Sequence, residues 1–149
     1  MNENKQLALA ISLAAQGHLN QTDRGGNPYI LHPLRVMRYI RSDDPQLMAI
    51  AVLHDHQDDC GGSSDLYRSM GFSERVIEGI RLLSNDEGLS YEDYIDRITT
   101  SVDAIRVKLA DIKHNTDILR LGKLSDKVFE RLQKYHAAHN KLTNALNRK

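Results

Sequence analysis

The sequence predicts an all-α fold, and three observations lead to this prediction. Apolar residues recur at the three- and four-residue spacing of a helix face along most of the 149 residues. No segment shows the alternating apolar and polar pattern of a half-buried strand. The three prolines, Pro28, Pro33 and Pro45, fall in loops or at predicted helix starts, where proline is tolerated. We therefore expect a single domain over residues 1–149, built from about eight helices.

The first predicted helix has one apolar face and ends at a glycine. Leu7, Ala10, Ile11 and Ala14 share that face, and the helix stops near Gly17. A loop with glycine and proline, HLNQTDRGGNPY, follows it. The segment ILHPLRVMRYIRS then resumes the helical period and is predicted as the second helix.

The third predicted helix joins an apolar run to a polar one. Asp43 or Asp44 caps it, and Pro45 is its first residue. We expect it to run through QLMAIAVLHDHQDD as one continuous helix and to end before Gly61 and Gly62.

Five further helices are predicted in the rest of the chain. Ser63 or Ser64 caps the short segment DLYRSMG, and Ser73 caps the helix that begins at Glu74. The last three helices lie in the segments SYEDYIDRITT, SVDAIRVKLADIKHNTDILRL and SDKVFERLQKYHAAHNKLTNALN.

The composition limits the class of protein. Lysine plus arginine and aspartate plus glutamate number 20 each, so no overall charge favours nucleic acid or membrane, although a local basic pocket is allowed. No apolar stretch approaches the ~18 residues of a membrane span. A single cysteine, Cys60, excludes an internal disulfide and fits a reducing, cytoplasmic location. The choice between monomer and homo-oligomer stays open.

The segment AVLHDHQDDC, residues 51–60, suggests a cation site. On a continuous helix, Asp58, Asp55 and Asp59 lie at about 40°, 100° and 140° from His54, so the four share one arc. Imidazole and carboxylate groups that converge suit a divalent cation, and the oxygen ligands favour manganese. A solvated helix end also explains the acids, but they lie at the negative end of the helix dipole, where a cation would compensate them.

Two further segments contain a candidate ligand each. His32 stands before Pro33 in an apolar setting, where a structural histidine is the more common explanation. Asp111 follows the apolar-rich segment IRVKLA and is expected to be partly buried, which is costly unless the carboxylate is paired or bound to metal. Lys108 and Asn115 share its helix face, and Lys108 could pair with it as a simple salt bridge.

The candidate ligands follow the order His…His-Asp…Asp along a helical chain, which resembles the HD metal-dependent phosphohydrolases. The segments DRGGNPYILHPLRV, AVLHDHQDD and VKLADIKHN are also similar to the signatures RKSGEPYIxHPL, LLHDxxEDT and KLADRLHN of the RelA/SpoT-type hydrolase domain. The resemblance extends over roughly residues 5–140. It implies an HD-type helical bundle and a stand-alone hydrolase of (p)ppGpp, the guanosine alarmone.

By this resemblance, one Mn²⁺ ion per chain is held by four residues. They are His32, His54, Asp55 and Asp111.

The resemblance also implies catalytic and substrate-binding residues. Asp58 falls at the position of the family's catalytic glutamate, and Asp59 at that of the following aspartate. The substrate-binding candidates are Arg24, which stands where the family usually has lysine, Asn115, which matches a residue near the nucleotide, and Tyr135, which lies near the position of a nucleotide-contacting tyrosine.

Among the departures of the sequence from the family signatures, four concern the expected site and its neighbours. Asp23 replaces an arginine, Gly25 a serine and Ile112 another arginine, and Asp58 is one methylene shorter than glutamate. The changes at positions 23 and 25 bear on substrate recognition, and the change at position 58 bears on catalysis.

The expected activity is Mn²⁺-dependent removal of the 3′-pyrophosphate from a guanosine or adenosine alarmone, and the only expected partner is this nucleotide. Three alternatives remain open. The substrate could be another phosphorylated nucleotide such as NADPH, or the chain could be a degenerate HD module that binds a nucleotide without turnover. The third alternative is a purely structural helical module, which would require the three ordered motifs to have arisen by coincidence.

Overall fold

The computed structural model describes residues 1–149 and confirms the all-α prediction. It contains nine α-helices: α1 (Glu3–Gly17), α2 (Leu31–Tyr39), α3 (Pro45–Val52), α4 (His56–Cys60), α5 (Ser64–Ser69), α6 (Glu74–Leu83), α7 (Tyr91–Ile98), α8 (Val102–Asn115) and α9 (Asp126–Asn147). A short 3₁₀ helix, Ile118–Arg120, lies between α8 and α9. The only β-type pairing is an isolated bridge between Thr22 and Pro28. No helix is both long and apolar enough to cross a membrane.

Helix α3 lies at the centre of the fold. It packs against α1, α2, α6 and α8, and Leu47, Ile50 and Val52 are fully buried in a single hydrophobic core. Helix α6 approaches α3 closely at Gly79, because a Cβ atom there would lie 2.6 Å from Cδ1 of Ile50. Leu53 and His54, which directly follow the last turn of α3, are buried as a consequence.

Side-chain caps begin the helices as the sequence predicts. The carboxylate of Asp44 accepts from the backbone N–H groups of Gln46 and Leu47, and Pro45 is the first residue of α3. The hydroxyls of Ser63 and Ser73 cap α5 and α6 in the same manner. These caps satisfy N–H groups that a helix start leaves without intrahelical partners.

The prediction of one continuous helix from Pro45 to Gly61 is wrong. Helix α3 ends at Val52, and α4 begins at His56. Nδ1 of His54 lies 2.7 Å from the carbonyl oxygen of Ala51, which is the acceptor that the N–H of Asp55 would use in a continuous helix. The chain turns through residues 53–55 before α4 begins.

The long helix predicted at residues 101–121 is also shorter than expected. Helix α8 ends at Asn115, and the chain continues through Thr116 and Asp117 into the 3₁₀ helix. The carboxylate of Asp117 accepts from the N–H of Leu119 and caps this short turn.

Candidate metal centre

Three separate elements bring the four predicted metal ligands together. His32 lies on α2, His54 and Asp55 in the break between α3 and α4, and Asp111 on α8. Nε2 of His32 is 2.9 Å from Oδ1 of Asp111 and 3.6 Å from Oδ2 of Asp55. Nε2 of His54 is 3.0 Å from Oδ2 of Asp55 and 3.4 Å from Oδ1 of Asp111. We call these four residues the His/Asp cluster.

The His/Asp cluster has the donor set and spacing of a divalent-cation site. Two imidazole nitrogens and two carboxylate oxygens suit ions of the Mn, Fe and Zn type. Ligand atoms about 2.1 Å from a cation lie about 3.0 to 3.4 Å from one another at tetrahedral or octahedral angles. Three of the four histidine–aspartate distances, 2.9, 3.0 and 3.4 Å, lie in or next to this range, and the fourth, from His32 to Asp55, is 3.6 Å. One ligand atom each of His32, His54 and Asp55 lies within 4.8 Å of the other two. The helical break contributes to this spacing, since it presents His54 and Asp55 on the same side.

A buried atom of His54 gives the strongest test of whether a cation fits. The bond from Nδ1 to the Ala51 carbonyl places the ring hydrogen on Nδ1, so Nε2 carries a lone pair in the neutral imidazole. That Nε2 atom is buried and has no hydrogen-bond partner. Burial opposes a positive charge on His54, but the charges of Asp55 and Asp111 prevail and raise the pKa of His54 well above its usual range. The two carboxylates thus favour a positive charge at Nε2, which a proton or a metal cation can supply. The residues present therefore fit a bound metal.

Asp111 is the most strongly bound carboxylate of the cluster. It is 4% exposed. The Lys108 ammonium donates to Oδ2 at 2.8 Å, and the Asn115 amide donates to Oδ1 at 3.0 Å. Burial opposes ionisation, but the Lys108 charge prevails and holds the pKa of Asp111 well below its usual range. Lys108 thus pairs with Asp111, and Oδ1 still faces both histidines.

Two outer residues contact the ligands. The Tyr29 hydroxyl donates to Oδ2 of Asp55 at 2.5 Å, and burial followed by the charge of Asp55 raises the pKa of Tyr29, so that it stays a donor. His114 lies beside His32, with 2.7 Å between their Nδ1 atoms. Burial, then the charge of Arg120, lowers the pKa of His114 to about 4. The sequence interpretation did not include Tyr29, although it lies three residues before His32.

The two candidate catalytic acids lie on α4, immediately after the cluster. Because of the helical break, Asp58 and Asp59 do not share a regular helical arc with His54. Oδ2 of Asp58 accepts from the backbone N–H of Asn85 at 2.9 Å, and Oδ2 of Asp59 accepts from the Gln21 amide at 3.1 Å. Both aspartate side chains are exposed. Partial desolvation, with Asp86 and Asp55 nearby, raises the pKa of Asp58. A raised carboxyl pKa suits proton transfer closer to neutral pH.

A basic cleft of about 310 Å³ opens beside the cluster. His32 forms part of its wall, together with the three predicted substrate-binding residues, Arg24, Asn115 and Tyr135.

The same cleft contains two arginines that the sequence interpretation missed. Arg120 follows α8 on the 3₁₀ helix, and Arg131 lies one helical turn before Tyr135 on α9. The spacing from Tyr135 could have indicated Arg131. No local signal indicates Arg120, which folding brings to 3.9 Å from Asp23. The cleft therefore has three guanidinium groups and one carboxylate.

A larger groove of about 1070 Å³ lies elsewhere, between α8, α9 and the end of α2. It contains none of the nine predicted site residues. We assign the site to the smaller cleft because only this cleft adjoins the His/Asp cluster.

A solved structure shares the fold. It belongs to a metazoan orthologue of SpoT that hydrolyses ppGpp, and it matches 95% of this chain and 85% of its own with a TM-score of 0.73 and 23% sequence identity. The helical fold and the His/Asp cluster together define an HD-type domain.

Sequence comparison identifies the family, although no family model matches the chain. The bifunctional (p)ppGpp synthase/hydrolase SpoT of Escherichia coli is 33% identical over 124 residues, which are 74% of this chain and 18% of that protein. A probable GTP pyrophosphokinase of Mycobacterium leprae is 30% identical over 122 residues, 74% of this chain and 15% of that protein. The chain belongs to the RelA/SpoT-type HD-domain family, and it spans less than a fifth of the length of these relatives.

Proposed function

We propose that the chain is a Mn²⁺-dependent pyrophosphohydrolase of alarmones such as (p)ppGpp. It removes the 3′-pyrophosphate, and the products are pyrophosphate and GDP, GTP or their adenine equivalents. One observation carries the proposal: the buried, unpartnered Nε2 of His54 faces two carboxylates beside a basic cleft. The names of the relatives support it, since SpoT of Escherichia coli is described as a (p)ppGpp synthase/hydrolase.

In this proposal the His/Asp cluster holds one Mn²⁺ ion. His32 and His54 supply nitrogen ligands, and Asp55 and Asp111 supply oxygen ligands. A divalent cation supplies Lewis-acid activation of water and neutralises charge on a phosphoryl oxygen. Lys108 balances the second oxygen of Asp111 and so limits the negative charge of the site.

Asp58 and Asp59 accept and donate protons in the proposed reaction. Both follow the ligand pair on α4, and the raised pKa of Asp58 suits it to accept or donate a proton. Asn85 holds Asp58 through its backbone N–H, and Gln21 holds Asp59 through its amide. These contacts position carboxylates that are otherwise free to rotate.

The basic cleft binds the nucleotide. Arg24, Arg120 and Arg131 provide planar guanidinium groups, which recognise phosphate oxygens in pairs. Asn115 and Tyr135 are then available to contact the sugar or the base, and Tyr135 presents an aromatic face. A volume of about 310 Å³ is at the lower end of the range for small-molecule pockets, which suits a single nucleotide.

A second candidate function is nucleotide binding without turnover. The specific observation that favours it is the short side chain at position 58, whose carboxylate already bonds the backbone of Asn85. A third, phosphatase action on NADPH, uses the same cluster and cleft.

A product assay separates these functions. Purified protein with Mn²⁺ is incubated with ppGpp, pppGpp, ppApp or NADPH, with EDTA controls, and the products are resolved by anion exchange. Metal-dependent pyrophosphate release from an alarmone supports the proposal and identifies the base, and Asp55→Ala should abolish it. Orthophosphate release from NADPH alone would support the phosphatase. Tight nucleotide binding with no product from metal-loaded protein would support the binding module.

A further inference from the structure

His114 is a buried histidine that the proposed reaction does not use. It lies near the end of α8 and is 7% exposed. Its ring is nearly parallel to that of His32, at 15° with 5.0 Å between the centroids. The two Nδ1 atoms are 2.7 Å apart, which is the distance of a hydrogen bond.

A hydrogen bond between two imidazole nitrogens contains one hydrogen, so one ring donates and the other accepts. A neutral imidazole has one N–H group and one lone pair. Nε2 of His32 faces the cluster, 2.9 Å from Oδ1 of Asp111. If this atom gives its lone pair to a cation, the hydrogen of His32 is on Nδ1. Nδ1 of His114 must then be the acceptor, and the hydrogen of His114 is on Nε2.

We propose that His114 is a positioning residue for the metal centre, an inference that rests on the proposed metal-dependent function. By accepting from Nδ1 of His32, it fixes the tautomer whose Nε2 lone pair points at the cation. The carbonyl of Ala51 fixes the same tautomer in His54, because it accepts a hydrogen bond from Nδ1. The two histidine ligands thus have the same tautomer, with a backbone acceptor for one and an imidazole acceptor for the other.

The packing around His114 holds its ring in place for this role. Tyr39 contacts the ring edge-on, with 5.9 Å between the centroids. The His114 carbonyl accepts from the Arg120 guanidinium at 2.6 Å, which fixes the backbone at the end of α8. Partners that orient metal-bound histidines typically contribute about 10- to 100-fold to metal affinity.

The test compares Mn²⁺ affinity in variants of the full chain. His114→Leu removes the acceptor at similar volume, whereas His114→Asn keeps an acceptor oxygen near the position of Nδ1. His136→Leu, at an exposed histidine on α9, is the matched control. Mn²⁺ is titrated into EDTA-stripped protein and followed by calorimetry. In parallel, ¹⁵N spectra of the wild-type histidines are recorded with Zn²⁺, which is diamagnetic, in place of Mn²⁺.

We expect His114→Leu to weaken Mn²⁺ binding by about 10- to 100-fold, with little change in His114→Asn and His136→Leu. The spectra should show His114 protonated on Nε2 in the loaded protein. Unchanged affinity in folded His114→Leu, or a hydrogen on Nδ1 of His114, would overturn the inference. If His114→Leu does not fold, the Mn²⁺ affinity of His114→Asn and the ¹⁵N spectra still test the proposed role of His114. Wild-type protein that binds no divalent ion would instead refute the proposed metal centre.

Discussion

Replacing Lys108 with methionine tests how the cluster balances its charge. Lys108 is 9% exposed, and its ammonium lies 2.8 Å from Oδ2 of Asp111. Methionine keeps an apolar side chain of similar length and removes only the charge. In metal-free protein, the carboxylate of Asp111 then stays buried without its main counter-charge.

The expected cost in metal-free protein is about 3–5 kcal/mol, the usual penalty for removing one partner of a buried ion pair. Since 1 kcal/mol shifts the Tm of a domain this size by about 2–4 °C, the Tm should fall by roughly 6–20 °C. A cation at the cluster neutralises Asp111 independently of Lys108. The stability lost on Lys108→Met should therefore be smaller in protein that has bound Mn²⁺. Linkage then requires Lys108→Met to bind metal more tightly, by about tenfold for each 1.4 kcal/mol recovered.

Thermal melts with EDTA and with saturating Mn²⁺, together with Mn²⁺ titration calorimetry, measure both quantities. Lys127→Met, at an exposed lysine on α9, is the control and should change stability by less than about 0.5 kcal/mol. Two results would contradict this charge balance: a Tm of metal-free Lys108→Met equal to that of the wild type, or weaker Mn²⁺ binding by Lys108→Met than by the wild type.

Three other substitutions probe catalysis, packing and capping. Asp58→Asn should retain Mn²⁺ and lower kcat by about 10²- to 10⁴-fold; full turnover in steady-state assays would remove Asp58 from the mechanism. Gly79→Ala should cost about 1–3 kcal/mol in urea denaturation, since the new methyl group would crowd Ile50, and an unchanged midpoint would contradict this packing. Asp44→Ala should cost about 1 kcal/mol, because it removes the cap of α3. The hydrogen bond from Arg75 lowers the pKa of Asp44, so the contribution is present above the unfolded aspartate pKa, near 4, and is lost as pH falls through the folded value. A difference between wild type and Asp44→Ala that persists at pH 2 would contradict this assignment.

The helix positions were largely predictable because their signals are local. Asp44 followed by Pro45 marks the start of α3, and the structure shows both the cap bonds and the proline at the first position. The break at residues 53–55 was not predictable from the same rules. It depends on a side-chain bond between His54 and the Ala51 carbonyl, which competes with the backbone bond of a regular helix.

The residues of the candidate site that lie in a sequence motif were predictable. The order His32, His54–Asp55, Asp111 led to a metal hypothesis, and folding brings these residues together. Arg120 was missed because it reaches the cleft only through the turn after α8. Such long-range placement leaves no periodicity in the sequence.

The most direct test of the central claim is titration of Mn²⁺ into EDTA-stripped wild-type protein and the His54→Ala variant. His54 is the residue to change, because its Nε2 is buried, has no hydrogen-bond partner and faces the carboxylates of Asp55 and Asp111. His136→Ala, at an exposed position, serves as the control. We expect one Mn²⁺ per chain in the wild type and the control, and loss of that binding in His54→Ala. Equal Mn²⁺ binding by wild type and His54→Ala, or no binding by the wild type, would contradict the proposed metal centre.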